Sequence, residues 1–266
     1  MNPLVPIAKP DVVNVVVDWG NSSLKVGWFI GPDQLETARY ESPEALMRVV
    51  QQRCPAHVLV SSTSRSADEI RAGLRHTPAT VWVLDSRTPV PIGKDYDTPA
   101  TLGADRVAAA VGAATLFPGE DCLIFDLGTC LTADFVDRSA VFRGGLISPG
   151  LRMRFRAMHE QTARLPLIDL PDSPGNWPGL TAKNTRQAMQ AGVVNGLAFE
   201  MNGIIDQYRR EQPGIVVILC GGDAPTFESR LKPPIFAVPE LVLIGLNRIL
   251  RYNVENLQAD TPDVNA

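Results

Sequence analysis

The chain is poor in cysteine, histidine and aromatic residues, and it has no excess of positive charge. Only four cysteines occur in 266 residues, Cys54, Cys122, Cys130 and Cys220, and no two form a C-x-x-C pair. That spacing argues against a zinc site or a dithiol redox motif, and fits free thiols in a reducing compartment. The three histidines, His57, His76 and His159, are scattered and read as structural or solvated side chains. Trp19, Trp28, Trp82 and Trp177 set out no stacking array for nucleic acid. Lys and Arg total 25 against 29 Asp and Glu, a net charge of −4. A general electrostatic grip on nucleic acid or on an anionic membrane face is therefore not expected. No apolar run approaches the roughly 18 residues of a membrane span. The first eleven residues lack the apolar core of a secretory signal. A cytoplasmic protein is expected. Neither G-x-x-x-x-G-K-[ST] nor G-x-G-x-x-G occurs, which removes the P-loop and the standard dinucleotide fingerprint.

What is present is a globular composition, 45% apolar and 20% charged, in a length that suits one large domain or two smaller ones. The β-branched run Val12–Val17 reads as a buried strand and Ser23–Ile30 as a second strand after a turn. Helical spacing covers Pro43–Arg53, Ser66–Leu74, Ala104–Leu116, Gly150–Gln161, Asn184–Arg210, Asp223–Leu231 and Glu240–Tyr252. Short strands are expected at His57–Ser61, Thr80–Leu84, Asp121–Phe125, Leu131–Val136, Val141–Ile147, Ile215–Cys220 and Ile235–Val238. Residues 85–100, with Pro89, Pro91 and Pro99, read as a loop of functional length. In the longest helix, Met189, Val193, Leu197, Met201, Ile205 and Tyr208 form one apolar stripe. Gly192, Gly196 and Gly203 lie beside it and cost helix propensity, which suggests close approach by another segment.

An internal echo organises the whole. An apolar strand followed by Asp18-Trp19-Gly20-Asn21-Ser22 recurs as an apolar strand followed by Asp126-Leu127-Gly128-Thr129-Cys130. Two similar α/β halves in tandem account for this, 12–118 and 119–252, with 1–11 and 253–266 as flexible ends. A strand that stops at Asp, turns on Gly and restarts makes a tight hairpin, whose N–H groups form an anion-binding concavity. Asn21, Ser22 and Ser23 add donors and Lys25 a positive charge. Asp18 could hold Mg²⁺ through water. Taken alone, the first turn is an ordinary D-x-G-N hairpin. Two such turns in corresponding places, facing one another across a cleft, suit a nucleoside triphosphate. Thr129 and Thr132 offer hydroxyls to phosphate oxygens. Asp134 and Asp137 read as strand-edge or turn charges. Leu102-Gly103-Ala104-Asp105-Arg106 opens a helix directly after the proline-rich loop with Tyr96. A helix start beside a loop is a site for an anion or substrate, and Asp105 could accept a proton from a substrate hydroxyl. Cys220-Gly221-Gly222-Asp223 reads as a tight turn that adenine could approach.

At these residues the chain resembles type III pantothenate kinases, within the actin/Hsp70/sugar-kinase superfamily. The matching pieces are DWGNSSLK (18–25), YDTPATLGADR (96–106), DLGTCLTAD (126–134), GGLISPG (144–150), KNTRQAMQAGVVNG (183–196) and CGGDA (220–224). The resemblance implies duplicated RNase H-like, actin-like ATPase domains with a nucleotide cleft between them. It also implies ATP-dependent phosphorylation of pantothenate, the first step toward coenzyme A. Carried over by position, Asp18, Trp19, Gly20, Asn21, Ser22, Ser23, Leu24 and Lys25 form the first ATP segment, with Asp18 near Mg²⁺ and Thr129 a further ATP contact. Tyr96, Gly103, Ala104, Asp105 and Arg106 are implied as pantothenate contacts, with Asp105 the proton acceptor. Asp126 is implied as ligand of a monovalent cation, K⁺ or NH₄⁺. Thr185 is implied as a substrate contact that reaches the site in a homodimer, for which the long glycine-bearing helix is the expected interface. Two alternatives stand beside this: a sister kinase for another small polyol or acid, and a nucleotide-binding regulatory protein of the transcription-accessory kind.

Overall fold

The computed structural model describes residues 12–20, 23–62, 64–75, 77, 79–168 and 177–259. The chain divides into two compact units, one of residues 1–91, 98–112 and 242–266, the other of 92–97 and 113–241. Both are α/β.

The first unit is built on β1 (Val13–Trp19), β2 (Leu24–Ile30), β3 (Asp33–Tyr40), β4 (His57–Ser62) and β5 (Thr80–Val83), in the order β3-β2-β1-β4-β5. β1 runs antiparallel to β2 and β2 to β3, whereas β1-β4 and β4-β5 are parallel. Val15, Val17 and Trp19 alternate along β1 and meet Leu24, Val26 and Trp28 of β2 in one core. α1 (Pro43–Arg53) and α2 (Ala67–Gly73) add Leu46, Val50 and Ile70 to it. Both helices start at built caps. Ser42 accepts from Ala45 N, with Pro43 in the first turn, and Ser66 forms a reciprocal capping box with Glu69.

The second unit repeats the plan. Its strands are β7 (Cys122–Leu127), β8 (Cys130–Val136), β9 (Val141–Pro149), β10 (Val216–Cys220) and β11 (Phe236–Ala237). The sheet order is β11-β10-β7-β8-β9-β6, where β6 (Gly93–Lys94) is an added edge strand parallel to β9. The antiparallel and parallel pairings recur in the same places as in the first sheet. The duplication expected from the paired D-x-G turns is thus present at the level of topology. α4 (Leu151–Glu160) and α5 (Thr185–Glu211) cover this sheet. The expected stripe of α5, Met189, Val193, Leu197, Met201 and Ile205, is buried against it, and Tyr208 packs at its edge. Asn195 of α5 accepts from Trp177 Nε1 (2.7 Å) and donates to Pro178 O (3.1 Å), fastening the chain that leads into the helix.

Several expectations are corrected. β3 was not legible: DQLETARY is polar and mostly exposed, an edge strand with no apolar alternation. The stretch expected as helix over 223–231 is a short α6 (Ala224–Phe227) followed by a 3₁₀ turn. The polar tail after Tyr252 is not loose at its start, because α7 (Leu241–Ala259) continues through it. Asn253 is buried and donates to Pro89 O and Ile249 O, both at 2.8 Å. α7 groups with the first unit, not with 119–252. Its Gly245 lies so close to α3 (Ala104–Leu116) that an added Cβ would stand 1.8 Å from Ala108 O. Around Gly192, Gly196 and Gly203, where close approach by another segment is expected, a Cβ meets open space within the single chain. The N-terminal arm lies outside the described residues.

Candidate active site

In the first unit the site begins where β1 ends. Asp18 is registered with Lys25 on β2 and with Ser61 on β4. The turn closes through Gly20 N donating to Ser23 O at 3.1 Å. Ser62 Oγ ties it to β4, donating to Trp19 O at 3.0 Å while accepting from Ser64 N and Arg65 N. Trp19 and Leu24 send their side chains into the core, so only their backbone can serve a ligand. Asn21 and Ser22 lie outside the described residues. Asp105 stands in the first turn of α3, where an acid complements the helix dipole. Its Oδ1 accepts from Arg106 N at 2.8 Å and lies 2.5 Å from where a Gly103 Cβ would be. A side chain at residue 103 would displace this carboxylate from over the helix start. Ala104 opens the helix, and Arg106 is buried.

Asp105, far from Asp18 in sequence, acts on it through its charge. The Asp18 carboxyl is raised from 3.8 to about 6, first by burial, then by the Asp105 charge, with Lys25 opposing. Ser61 carried no sequence signal. It is fully buried beside Asp18, and its Oγ has no hydrogen-bond partner.

In the second unit three glycine turns converge on the chain after Asp126. Gly128 N donates to Cys130 O at 3.0 Å, closing a connection of three residues between the paired Leu127 and Leu131, against four between Trp19 and Leu24. Gly150 N donates to Thr129 O, and a Cβ at Gly150 would fall 2.4 Å from that oxygen. Gly221, at φ +92°, has room for no side chain, because a Cβ would stand 2.5 Å from both Asp126 Oδ1 and Leu127 N. The sequence marks the turns at Gly128 and Gly221 separately; only the fold brings them and Gly150 onto one another. Thr129 is exposed and available to a ligand. Tyr96 packs edge-on against Phe142, with ring centroids 5.9 Å apart. Thr185 is exposed at the start of α5, one residue after the Asn184 cap.

Of the two aspartates set aside, Asp137 is a turn charge held by Arg143, as expected. Asp134 is not an edge charge, being 1% exposed with Gly145 packed on its carboxylate. The predicted residues therefore form two groups. Asp18, Gly20, Lys25, Gly103, Asp105 and Arg106 belong to the first unit, and Tyr96, Asp126, Thr129 and Thr185 to the second.

Among the described residues no group of three or more His, Cys, Asp or Glu could hold a metal. A cation of the Mg²⁺ type needs no such cage, because it takes one or two carboxylates and completes its shell with water and phosphate oxygens. The raised Asp18 carboxyl beside Asp105 fits that demand, since a cation would offset both charges. No helix among the described residues is long and apolar enough to cross a membrane.

The chain is similar to solved structures by fold. A conserved putative Baf family transcriptional activator from Campylobacter jejuni superposes with a TM-score of 0.58 at 16% identity, covering 91% of this chain and 99% of that one. The activator of the 2-hydroxyisocaproyl-CoA dehydratase from Clostridium difficile, with bound ADPNP, does so at 0.57 and 12%, covering 96% and 100%. A ROK hexokinase from Thermus thermophilus gives 0.51 and 15%, covering 91% and 100%. These likenesses carry the duplicated actin-like ATPase fold. By sequence, the chain is 47% identical over 242 residues to a type III pantothenate kinase of Cytophaga hutchinsonii, covering 91% of this chain and all of that protein. It is 41% identical to one of Bacteroides fragilis over 91% of this chain and 98% of that protein. The family model for type III pantothenate kinase matches residues 14–207. With both D-x-G turns and the helix start at Asp105 inside the matched span, the chain belongs to the type III pantothenate kinases.

Proposed function

We propose that the chain transfers the γ-phosphoryl group of ATP to the hydroxyl of pantothenate, in the cytoplasm, with the site residues in the following roles. It is an enzyme, a phosphotransferase of the pantothenate kinase class. Phosphoryl transfer asks the protein mainly for positioning and for stabilisation of charge. Backbone N–H groups from Trp19 to Leu24, with the Asn21, Ser22 and Ser23 side chains and Lys25, take the phosphates, and Thr129 adds a contact. Asp18 holds Mg²⁺ through water. When bound, that ion neutralises charge developing on the phosphate oxygens. Asp126, half-buried with bare Gly221 backbone against its carboxylate, suits a monovalent cation such as K⁺ or NH₄⁺, which takes oxygen donors.

Tyr96, Gly103, Ala104 and Arg106 bind pantothenate, and Asp105 accepts the hydroxyl proton late in the transfer. The observation that carries this assignment is the buried Asp18 carboxyl, raised by burial and then by the Asp105 charge. It supports a proton-accepting acid at the start of α3 whose charge reaches a metal-holding acid at the end of β1.

A homodimer formed along α5 completes the proposal. Gly192, Gly196, Phe199 and Gly203 follow steps of four, three and four residues, one face of a helix. Phe199 is 60% exposed, and the glycines leave open space. Thr185, seven residues before Gly192, lies on the same face and would serve the partner's substrate.

The decisive assay is release of ADP with and without pantothenate. Release that depends on pantothenate supports the assignment. Release only with another acceptor points to a sister kinase, and nucleotide binding without turnover to a regulatory protein.

A further inference from the structure

We propose that Arg143 is a positioning residue for the acceptor site: its guanidinium ties Asp95 to Asp137 and so holds Tyr96 where pantothenate binds. The proposal rests on the reading of Tyr96 as a substrate contact.

Tyr96 sits just after a two-residue edge strand. β6 contributes two residues to the sheet, and residues 95–98 have no regular structure. Such a short edge pairing is weak by itself. Several attachments lead to β9 and the turn before it. Gly93 and Lys94 pair with Val141 and Phe142, Gly93 N donates to Ala140 O at 2.9 Å, and Asp95 N donates to Phe142 O at 2.9 Å. The Tyr96 ring packs edge-on to Phe142 and lies 4.0 Å from where a Gly144 Cβ would stand.

Arg143 adds the side-chain link. Its Nη1 donates to Asp95 Oδ2 at 2.8 Å, and its Nε donates to Asp137 Oδ2 at 2.8 Å, with Nη2 at 2.7 Å from the same oxygen. Asp137 is itself fixed, because its Oδ1 accepts from Ser139 N and Val141 N in the turn between β8 and β9. The guanidinium therefore bridges an anchored acid to the residue immediately before Tyr96.

A β-bulge makes this reach available. In the ladder between β8 and β9, Val136 pairs with Phe142 and Phe135 with Gly144, so Arg143 is the extra residue on its strand. A bulge bends the strand and re-aims the side chain it carries. Gly144 follows at φ +101°, which its lack of a Cβ permits. A regular β9 would face residue 143 with a β8 partner. The bulge frees it to serve the neighbouring loop. The planar fork of arginine suits contact with two carboxylates at once, which a lysine does not match.

The link is part-exposed, so the expected effect is modest and selective. Arg143→Gln and Asp95→Asn should each raise KM for pantothenate about 3- to 10-fold. Both should leave kcat and KM for ATP within about twofold, because neither side chain is assigned to the phosphates or the base. The double variant should be no worse than Arg143→Gln alone, since both changes remove one link. Arg143→Lys should recover only part of the loss. Tyr96→Ala, measured alongside, should raise KM for pantothenate more than any of these. If Tyr96→Ala raises it while Arg143→Gln and Asp95→Asn do not, the clamp is refuted and the role of Tyr96 stands. If Tyr96→Ala leaves it unchanged, the underlying reading of Tyr96 fails. A fall in melting temperature and kcat together, without a selective change in KM, would make Arg143 merely structural and also overturns the proposal.

Discussion

Replacing Asp18 by Asn should stabilise the folded protein while removing its activity, and the gain should depend on pH in a stated direction. Burial and the Asp105 charge raise the Asp18 carboxyl from 3.8 to about 6, against the attraction of Lys25. The folded chain therefore binds this proton more tightly than the unfolded chain does. Between the two values the native state holds more protons than the unfolded state, so stability falls as pH rises through that window and stays low above it. A shift of about two units corresponds to at most about 3 kcal/mol, and solvent relaxation around the carboxylate reduces this to about 1–3 kcal/mol. The substituted asparagine side chain is uncharged at every pH and escapes the cost. Unfolding by urea, in buffer free of nucleotide and divalent cations, should show Asp18→Asn more stable than wild type by that amount above about pH 7. The gap should shrink as pH falls toward 4. Adding Mg²⁺ with ATP should stabilise wild type more than the variant, because a bound ligand stabilises only the state that binds it. A variant no more stable than wild type at pH 8, or a gap that does not change with pH, would refute the reasoning.

Three further outcomes are expected. Asp105→Asn should retain ATP binding, measured by calorimetry, but lose about 10²-fold or more in kcat, the usual scale for a positioned base; near-normal turnover would remove Asp105 from the chemistry. Gly245→Ala should lower stability by a net of about 2 kcal/mol in urea unfolding. Helix propensity favours alanine by about 1 kcal/mol, but a Cβ placed 1.8 Å from the Ala108 carbonyl oxygen forces α7 away from α3, at the upper end of overpacking costs. Phe199→Asp should yield a folded monomer by light scattering, because this side chain is already 60% exposed in the single chain and its loss leaves the core intact; an unchanged dimer would place the interface elsewhere.

Much of the architecture is written locally. The strand at Val12–Val17 and the helices Pro43–Arg53 and Ala104–Leu116 announce themselves through a β-branched run, helical apolar spacing and an alanine-rich stretch, and the structure keeps them, the strand as Val13–Trp19. The stripe on α5 is a periodicity of four, and burial follows it. The two D-x-G turns sit at equivalent strand ends because each follows the same apolar run, and the repeated sheet order bears out the duplication they suggested. Such features depend on neighbours within a few residues, which is the range over which propensity, capping and hydrophobic alternation act.

Tertiary packing decided the rest. β3 is polar and exists because β2 offers it an edge. α7 joins the first unit because Gly245 admits α3, a contact between segments more than a hundred residues apart. The influence of Asp105 on Asp18, the convergence of Gly128, Gly150 and Gly221, and the bulge that releases Arg143 toward Asp95 likewise join distant segments. A residue's type reveals what it can donate, accept or fill. Which partner stands across from it depends on strand register and on how closely two backbones come together, and those are properties of the folded chain.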